Sequence, residues 1–193
     1  MRKVILQEFV SLDGLASGPN GSVDFVPKST QGDRSFGVRQ MAFIDAIDTI
    51  LLGRATYQMF AAHWPKVTSG DDKRFADMLN ATPKVVFSST LERAPWGAWD
   101  PATIAKDPAA EVARLKQRAG KDMVIWGSIS LAQSLIDEKL VDEFQLVVCP
   151  VVLGSGTALF PHSGSSLDMQ LLNTRSFDRG TVLLTYGVAK AKA

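Results

Sequence analysis

The chain has 193 residues, of which 46% are hydrophobic and 21% are charged, and its formal net charge is +1 at pH 7. This size and composition predict one globular domain over residues 1–193. Acidic and basic residues are mixed along the chain without a basic stripe or a long apolar run, so we expect neither a nucleic-acid nor a membrane partner. The single cysteine, Cys149, excludes an internal disulfide and a multi-cysteine zinc site, and we expect a cytoplasmic protein without a metal.

The first half of the chain alternates apolar runs with helical spacing. Residues 4–10 are rich in β-branched and apolar types and predict a buried strand. Glycines, prolines and other turn residues then predict one long loop over residues 11–35. Helices are predicted over residues 36–48, 56–63 and 71–79, and strands over residues 49–52 and 84–87.

The second half continues this alternation after an irregular segment over residues 93–108, which is rich in proline and tryptophan. Helices are predicted over residues 109–119 and 130–138, and strands over residues 122–126 and 141–149. Residues 169–177 and 181–188 predict an antiparallel hairpin. The pattern therefore predicts an α/β fold with a mixed, mostly parallel sheet flanked by helices and a C-terminal antiparallel hairpin.

Small and hydroxyl-bearing residues follow three of the predicted parallel strands. Gly53 and Arg54 follow one strand, residues 88–90 (Ser-Ser-Thr) follow the next, and residues 127–131 follow a third. Ligands of open α/β sheets bind at the carboxyl ends of the strands, and a glycine before a helix N-terminus lets phosphate oxygens approach free N–H groups. Arg54 and the hydroxyls of residues 88–90 are suited to a further phosphate.

Each of these signals also has an ordinary structural interpretation. A glycine after a strand serves turns, serine and threonine serve as helix N-caps, and an arginine at a helix start is commonly solvated. The dinucleotide hypothesis depends on three such strand ends occurring in one chain.

These segments resemble the dihydrofolate-reductase-like superfamily, and most closely its riboflavin-biosynthesis reductase branch. The similar segments span nearly the whole chain and are residues 11–14 (SLDG), 51–57 (LLGRATY), 84–89 (KVVFSS), 126–131 (WGSISL), 140–143 (LVDE) and 150–156 (PVVLGSG). The resemblance implies that the cofactor is NADPH and that the protein is a homodimer. The cofactor contacts that it implies are Gly53, Arg54, Thr56, Ser88, Ser89, Thr90, Gly127, Ser128, Ile129, Ser130 and Leu131.

Three positions depart from the family pattern. Ser128 stands where the family's phosphate loop has its second glycine, and Trp126 stands where riboflavin-type reductases have an acidic residue. The region near Gly37 lacks the acid with which classical dihydrofolate reductases bind their pterin. These departures argue against folate and against the pyrimidine of riboflavin biosynthesis as the acceptor.

Asp13 is the candidate catalytic residue, because it follows the first strand and could bind or protonate an acceptor; the alternative is a turn role in its Asp-Gly pair. Ser11 and Asp13 lie in the SLDG segment, and Met41 and Trp64 could line the acceptor pocket or belong to the core. The sequence lacks the Gly-x-Ser-x-Gly, P-loop and His-Glu-x-x-His motifs.

We therefore expect an NADPH-dependent reductase that transfers a hydride to a small heterocyclic acceptor of pterin or pyrimidine type. The alternative from another class is a non-catalytic nucleotide-binding or sensor protein with the same fold. A structural dimer without a cofactor is a third possibility, against which the hydroxyl-bearing strand ends argue.

Overall fold

The computed structural model describes residues 1–160 and 166–189 of the chain. Its helices and strands alternate along most of this length. The strands are β1 (Val4–Val10), β2 (Leu15–Ser17), β3 (Ile47–Gly53), β4 (Lys84–Phe87), β5 (Thr103–Ala105), β6 (Asp122–Trp126), β7 (Glu143–Val148), β8 (Thr157–Ala158), β9 (Met169–Ser176) and β10 (Val182–Val188). The helices are α1 (Phe25–Thr30), α2 (Arg34–Asp45), α3 (Arg54–His63), α4 (Lys73–Ala81), α5 (Pro108–Lys116) and α6 (Ile129–Asp137).

Eight strands form one sheet in the order β5-β4-β3-β6-β1-β7-β10-β9, and β2 and β8 form a separate pair. Neighbours from β5 to β7 pair in parallel, whereas β10 is antiparallel to both β7 and β9. The predicted fold class is therefore confirmed, including the C-terminal antiparallel hairpin. Because β4, β3, β6 and β1 are adjacent and parallel, their carboxyl ends lie side by side at one edge.

Helices cover both faces of this sheet and bury two main apolar layers. On one face Leu6 and Ile125 pack with Leu131 and Leu135 of α6, all of them nearly inaccessible to solvent. On the other face Phe43 of α2 belongs to a layer that also contains Tyr57 of α3 and Leu79 of α4. Burial on both faces explains why the central strands have apolar residues in consecutive positions instead of alternating with polar ones.

The prediction of one long loop over residues 11–35 was wrong. This segment contains β2 and α1, so its irregular parts are shorter than the composition indicated. β2 pairs with β8, which lies far along the chain, and a three-residue strand with a distant partner leaves no periodic signal. In α1 the Ser29 hydroxyl donates to the carbonyl of Phe25 at 2.8 Å, and both residues are buried.

The segment predicted as irregular over residues 93–108 also contains a strand. β5 pairs in parallel with β4 through Val86 and Ile104, and it forms one edge of the large sheet. α2 ends at Asp45, earlier than predicted, because β3 already begins at Ile47. No helix among the described residues has the length and apolar content needed to cross a membrane.

Candidate functional site

The three predicted strand ends meet at one edge of the sheet. β3 pairs with β4 on one side and with β6 on the other, so Gly53 lies between the ends of its two neighbours. Gly53 is opposite Phe87, which directly precedes Ser88. The parallel topology therefore brings together segments that are widely separated in the sequence, as the sequence analysis predicted.

The turn after β6 has an unusual backbone. Gly127 and Ser128 have φ angles of +54° and +57°, in the left-handed region that favours glycine. A Cβ atom on Gly127 would lie 3.0 Å from the Thr56 Cγ2 atom, so a larger residue would crowd the Thr56 side chain. The N–H of Ser128 donates to the Thr56 hydroxyl oxygen at 2.8 Å. Thr56 thus binds the turn through its side chain.

Ser128 has the left-handed backbone conformation that favours glycine. Its hydroxyl group both accepts and donates a hydrogen bond. The hydroxyl oxygen accepts a hydrogen bond from the N–H of Gly53 at 2.9 Å and donates to the carbonyl of Trp126 at 3.0 Å. These bonds connect the start of α3 to the start of α6. The serine therefore preserves the turn that the glycine pair of the family pattern would form.

Two helix N-termini meet at this turn. Gly53 is the N-cap residue of α3, and Ser128 is the N-cap residue of α6; neither cap position makes a side-chain capping bond to its own helix. The first N–H groups of a helix have no partner within that helix, and the helix dipole favours negative charge there. Residues 129–131 and the first turn of α3 are therefore suited to a diphosphate group.

An open cleft of about 350 Å³ lies where β4 ends and α3 begins. Its lining includes the predicted residues Arg54, Ser88, Ser89 and Thr90, together with Lys106. Lys106 was missed because it follows β5, which the sequence analysis did not predict. Two cationic side chains and exposed hydroxyl groups in one cleft form a suitable environment for a phosphate monoester.

Ser88 has a different role in this cleft from its two neighbours. The Ser88 hydroxyl oxygen accepts hydrogen bonds from the N–H groups of Thr90 and Leu91 at 3.2 and 3.1 Å, and Ser88 is buried. It shapes the turn that presents Ser89 and Thr90, whose side chains are exposed.

Asp13 connects two loops. Its carboxylate oxygens accept hydrogen bonds from the N–H groups of Leu153 and Gly154 at 3.1 and 2.8 Å. A hydrogen bond from Ser11, together with these backbone bonds, lowers the pKa of Asp13 to about 2. A carboxyl group with this pKa is ionised at neutral pH and is a poor proton donor. The Ser11 hydroxyl oxygen also accepts from the N–H of Leu15 at 3.0 Å, which orders the same turn.

The two predicted pocket residues Met41 and Trp64 lie on the helical layer that covers the sheet. Met41 is a half-buried residue of α2. Trp64 follows α3, one helix length (about 15 Å) from Gly53, and packs against Phe60 and Phe75 with ring centroids 6.2 and 5.3 Å apart. Phe75 also packs against Trp126, which directly precedes Gly127, with ring centroids 6.0 Å apart. A role of Met41 or Trp64 in acceptor binding stays a prediction.

A buried glutamine network lies on the α2 side of β1, and sequence reasoning missed it. Gln7 and Gln40 exchange two amide hydrogen bonds of 3.0 and 2.9 Å, and Gln7 also donates to the Gln145 side-chain oxygen at 3.0 Å. The indole N–H of Trp126 donates to the Gln7 side-chain oxygen at 2.8 Å. Trp126 packs between Phe43 and Phe75. The side chains next to the turn on this face are thus neutral, and the charged groups Arg39 and Glu143 join the network only through Gln145.

Glu8 is a further residue that sequence reasoning missed. It lies in the middle of the sheet, it is 6% exposed, and burial raises its pKa to about 8. One signal was available in the sequence, because an acidic residue within an apolar strand that is buried on both faces is rare.

Comparison with known proteins shows the family of this chain. A family model described as the RibD C-terminal domain matches residues 2–183. The chain belongs to the RibD C-terminal domain family. This result confirms the family resemblance that the sequence analysis found in the strand-end segments.

Relatives of this RibD C-terminal domain protein are similar over most of their length. The chain is 35% identical over 186 residues to the uncharacterized protein YyaP of Bacillus subtilis, covering 96% of this chain and 94% of that protein. A putative riboflavin biosynthesis protein from Shewanella sp. PV-4 has a similar structure, with a TM-score of 0.75 and 22% identity over 98% of this chain and 100% of the other. The dihydrofolate reductase of Schistosoma mansoni matches with a TM-score of 0.61 and 14% identity over 97% of this chain and 99% of the other. These two structures establish a dihydrofolate-reductase-like fold.

Proposed function

We propose that this protein is an NADPH-dependent reductase that transfers a hydride to a small heterocyclic acceptor of pterin or pyrimidine type. The observation that carries the proposal is the cleft that contains Arg54, Ser89, Thr90 and Lys106, next to two converging helix N-termini. Membership of the RibD C-terminal domain family is consistent with an oxidoreductase.

The residues at this edge fit the parts of NADPH. The 2′-phosphate would bind Arg54 and Lys106, with the Ser89 and Thr90 hydroxyls as additional donors. The diphosphate would bind the N–H groups of residues 129–131 and the first turn of α3, where glycine at position 127 allows the left-handed turn that Thr56 packs against. When bound, NADPH supplies the hydride, and the protein orients the nicotinamide against the acceptor and excludes water.

We assign Asp13 a positioning role in this reaction. Its bonds to Leu153 and Gly154 join the loop after β1 to the loop after β7, and its low pKa argues against proton donation. The proton that a reduced acceptor requires would then come from a water molecule at the site.

The alternative function is nucleotide binding without turnover. It is favoured by one observation, the filled region around Trp126, Gln7 and Gln40 on the α2 side of the turn. NADPH binding without oxidation in the presence of pterin and pyrimidine acceptors would support this alternative over the reductase.

The first experiment is titration of the protein with NADPH and with NADH, followed by nicotinamide fluorescence. We expect a preference for NADPH that falls about tenfold or more in Arg54→Ala and in Lys106→Ala, which corresponds to about 1.4 kcal/mol for each lost charge-assisted contact. Arg74→Ala is the matched control, because Arg74 is an exposed arginine on α4. Equal affinity of the wild type for both cofactors would contradict the 2′-phosphate assignment, and no binding of either would contradict the proposed function.

We also propose that the protein forms a homodimer through the β9 edge of the sheet. β9 has eight residues and a free edge in the described sheet, with Leu171 and Leu172 half exposed. An antiparallel pair of β9 strands satisfies two-fold symmetry and would cover this edge. Light scattering should give a dimer for the wild type and a monomer for Leu171→Asp; a monomeric wild type would contradict this proposal.

A further inference from the structure

We propose that Glu8 is a positioning residue next to the Gly127–Ser128 turn. Its carboxyl group holds a proton there, and loss of this proton weakens binding of the anionic cofactor. This inference rests on the proposed function, because the anion whose binding depends on the charge of Glu8 is the diphosphate of the dinucleotide. It assigns a role to a buried acidic side chain of the central sheet that the proposed mechanism does not use.

The position of Glu8 follows from the register of the sheet. Gln7 is opposite Trp126 in the parallel pair of β1 and β6, so Glu8 lies beside Gly127. On its other side Glu8 is opposite Leu146 of β7. Side chains alternate along a strand, and Glu8 therefore shares its face with Leu6 and Val10. Both belong to the apolar layer that contains Leu131, in the first turn of α6.

The hydrogen bonds of Glu8 are too few for a buried carboxylate. Its Oε1 atom accepts from the N–H of Phe9 at 3.2 Å, and its Oε2 atom has no partner among the described residues. Burial raises the pKa of Glu8, and the N–H groups of Phe9 and Gly127 only partly oppose this shift. A neutral carboxyl group with one unpaired O–H is less costly to bury than an unpaired charge.

Charged groups on the surrounding elements do not stabilise an ionised Glu8. β6 and β7 begin with Asp122 and Glu143, at the opposite edge of the sheet from the turn. α6 has its acidic residues at its C-terminal end, and β2 and β8 have no charged residue. Arg54 lines the cleft on the other side of the turn, and neither it nor any other charged side chain contributes to the shift of the Glu8 pKa.

Glu8 lies beside Gly127, two residues before the first turn of α6 to which the diphosphate would bind. An ionised Glu8 would place a negative charge near the N–H groups that bind the anion, in a buried region where charges are poorly screened. A protonated Glu8 leaves the positive end of the helix free for the anion. Binding the anion therefore raises the pKa of Glu8 further, and above the pKa of the free protein, binding takes up a proton.

The direction of the pH effect follows from this coupling. Below the pKa of about 8 Glu8 is protonated in the free protein, and affinity for NADPH is independent of this group. At higher pH the free protein must take up a proton to bind, so the dissociation constant rises by up to about tenfold per pH unit. In Glu8→Gln the side chain keeps its shape and is neutral at every pH, so this rise is lost.

The experiment measures NADPH affinity by fluorescence between about pH 7 and pH 9.5 in wild type, Glu8→Gln and Glu143→Gln. Glu143→Gln is the matched control, because it makes the same chemical change at the opposite edge of the sheet, where Glu143 pairs with Lys3. We expect a rising dissociation constant in wild type and in Glu143→Gln, and a flat profile in Glu8→Gln. Calorimetry in buffers of different ionisation enthalpy should show proton uptake when wild type binds NADPH near pH 9, a measurement that needs no variant.

The outcomes separate this inference from the proposed function. NADPH binding with the same pH profile in wild type and Glu8→Gln, or without proton uptake, overturns the role of Glu8 and leaves the cofactor assignment intact. Absence of NADPH binding by the wild type at every pH overturns the proposed function and this inference together.

Discussion

The two sides of the Gly127 turn differ in their charge and in their accessibility to solvent. On the side of β4 the cleft is open, and the exposed side chains of Arg54 and Lys106 give it positive charge. On the side of α2 the space next to Trp126 is filled, and Gln7, Gln40 and Trp126 bond to one another through neutral amide and indole groups. The open side is suited to gaining a charged ligand, whereas the closed side is already satisfied by its own side chains.

This difference separates residues that bind from residues that stabilise. Exposed cations on an open cleft contribute little to folding, because water solvates them equally well in the unfolded chain. Buried amides contribute strongly, because the loss of one partner leaves others without a hydrogen bond. Substitutions on the two sides should therefore have opposite consequences for stability and for cofactor affinity.

The largest effect on stability is expected for Gln7→Leu. The change leaves the Gln40 amide and the Trp126 indole N–H buried without partners, at about 1–3 kcal/mol each, so we expect a loss of about 2–5 kcal/mol in the free energy of unfolding. Urea denaturation measures this loss. Gln58→Leu, at an exposed position of α3, should change stability by less than about 0.5 kcal/mol. Equal effects of the two substitutions would show that the network contributes nothing.

The second effect is the pH dependence of stability that Glu8 causes. Its pKa is raised from 4.5 to about 8 in the folded protein, so between these values the folded state retains a proton that the unfolded state releases. Stability should fall as pH rises through this range, by at most about 1.4 kcal/mol per pH unit, and level off above it. Glu8→Gln should remove this slope in urea denaturation without ligand; an unchanged slope would contradict the raised pKa.

Substitutions of Ser128 should give an intermediate effect and test how the serine replaces a glycine. Ser128→Ala removes both hydroxyl bonds and retains a Cβ in a left-handed conformation, so we expect a loss of about 1–3 kcal/mol. Ser128→Gly also loses the bonds but removes the conformational cost of about 1–2 kcal/mol. Thermal unfolding should thus rank wild type above Ser128→Gly and Ser128→Gly above Ser128→Ala. Greater stability of the alanine variant than of the glycine variant would contradict the left-handed geometry.

The smallest effect on stability is expected on the open side. The double variant Arg54→Ala, Lys106→Ala should have a free energy of unfolding within about 0.5 kcal/mol of the wild-type value, because both side chains are exposed. The same double variant should bind NADPH more weakly than either single variant. A large loss of stability would indicate that these cations support the fold, and the contrast between the two sides would then fail.

Sequence analysis predicted the open side better than the closed side, and the reason is physical. Gly53, Ser88 and Gly127 each follow an apolar run at a strand end, and the parallel topology necessarily brings such ends to one edge. The glutamine network instead combines side chains whose partners depend on strand register and on the rotation of α2, which no local pattern specifies. Lys106 was missed for a related reason, since β5 has only three residues and is defined by its pairing with β4.

The central position of β1 has a consequence for biosynthesis. Gln7 bonds to Trp126 and Gln145, which lie 119 and 138 residues further along the chain, and β6 and β7 are the only strands with which β1 pairs in the described sheet. While the ribosome makes the intervening residues, the apolar segment Val4–Val10 has already been made and has no strand to join. The middle of the sheet is therefore completed late, and these long loop closures slow folding. Until β6 and β7 have been made, β1 is an exposed apolar segment to which a chaperone can bind.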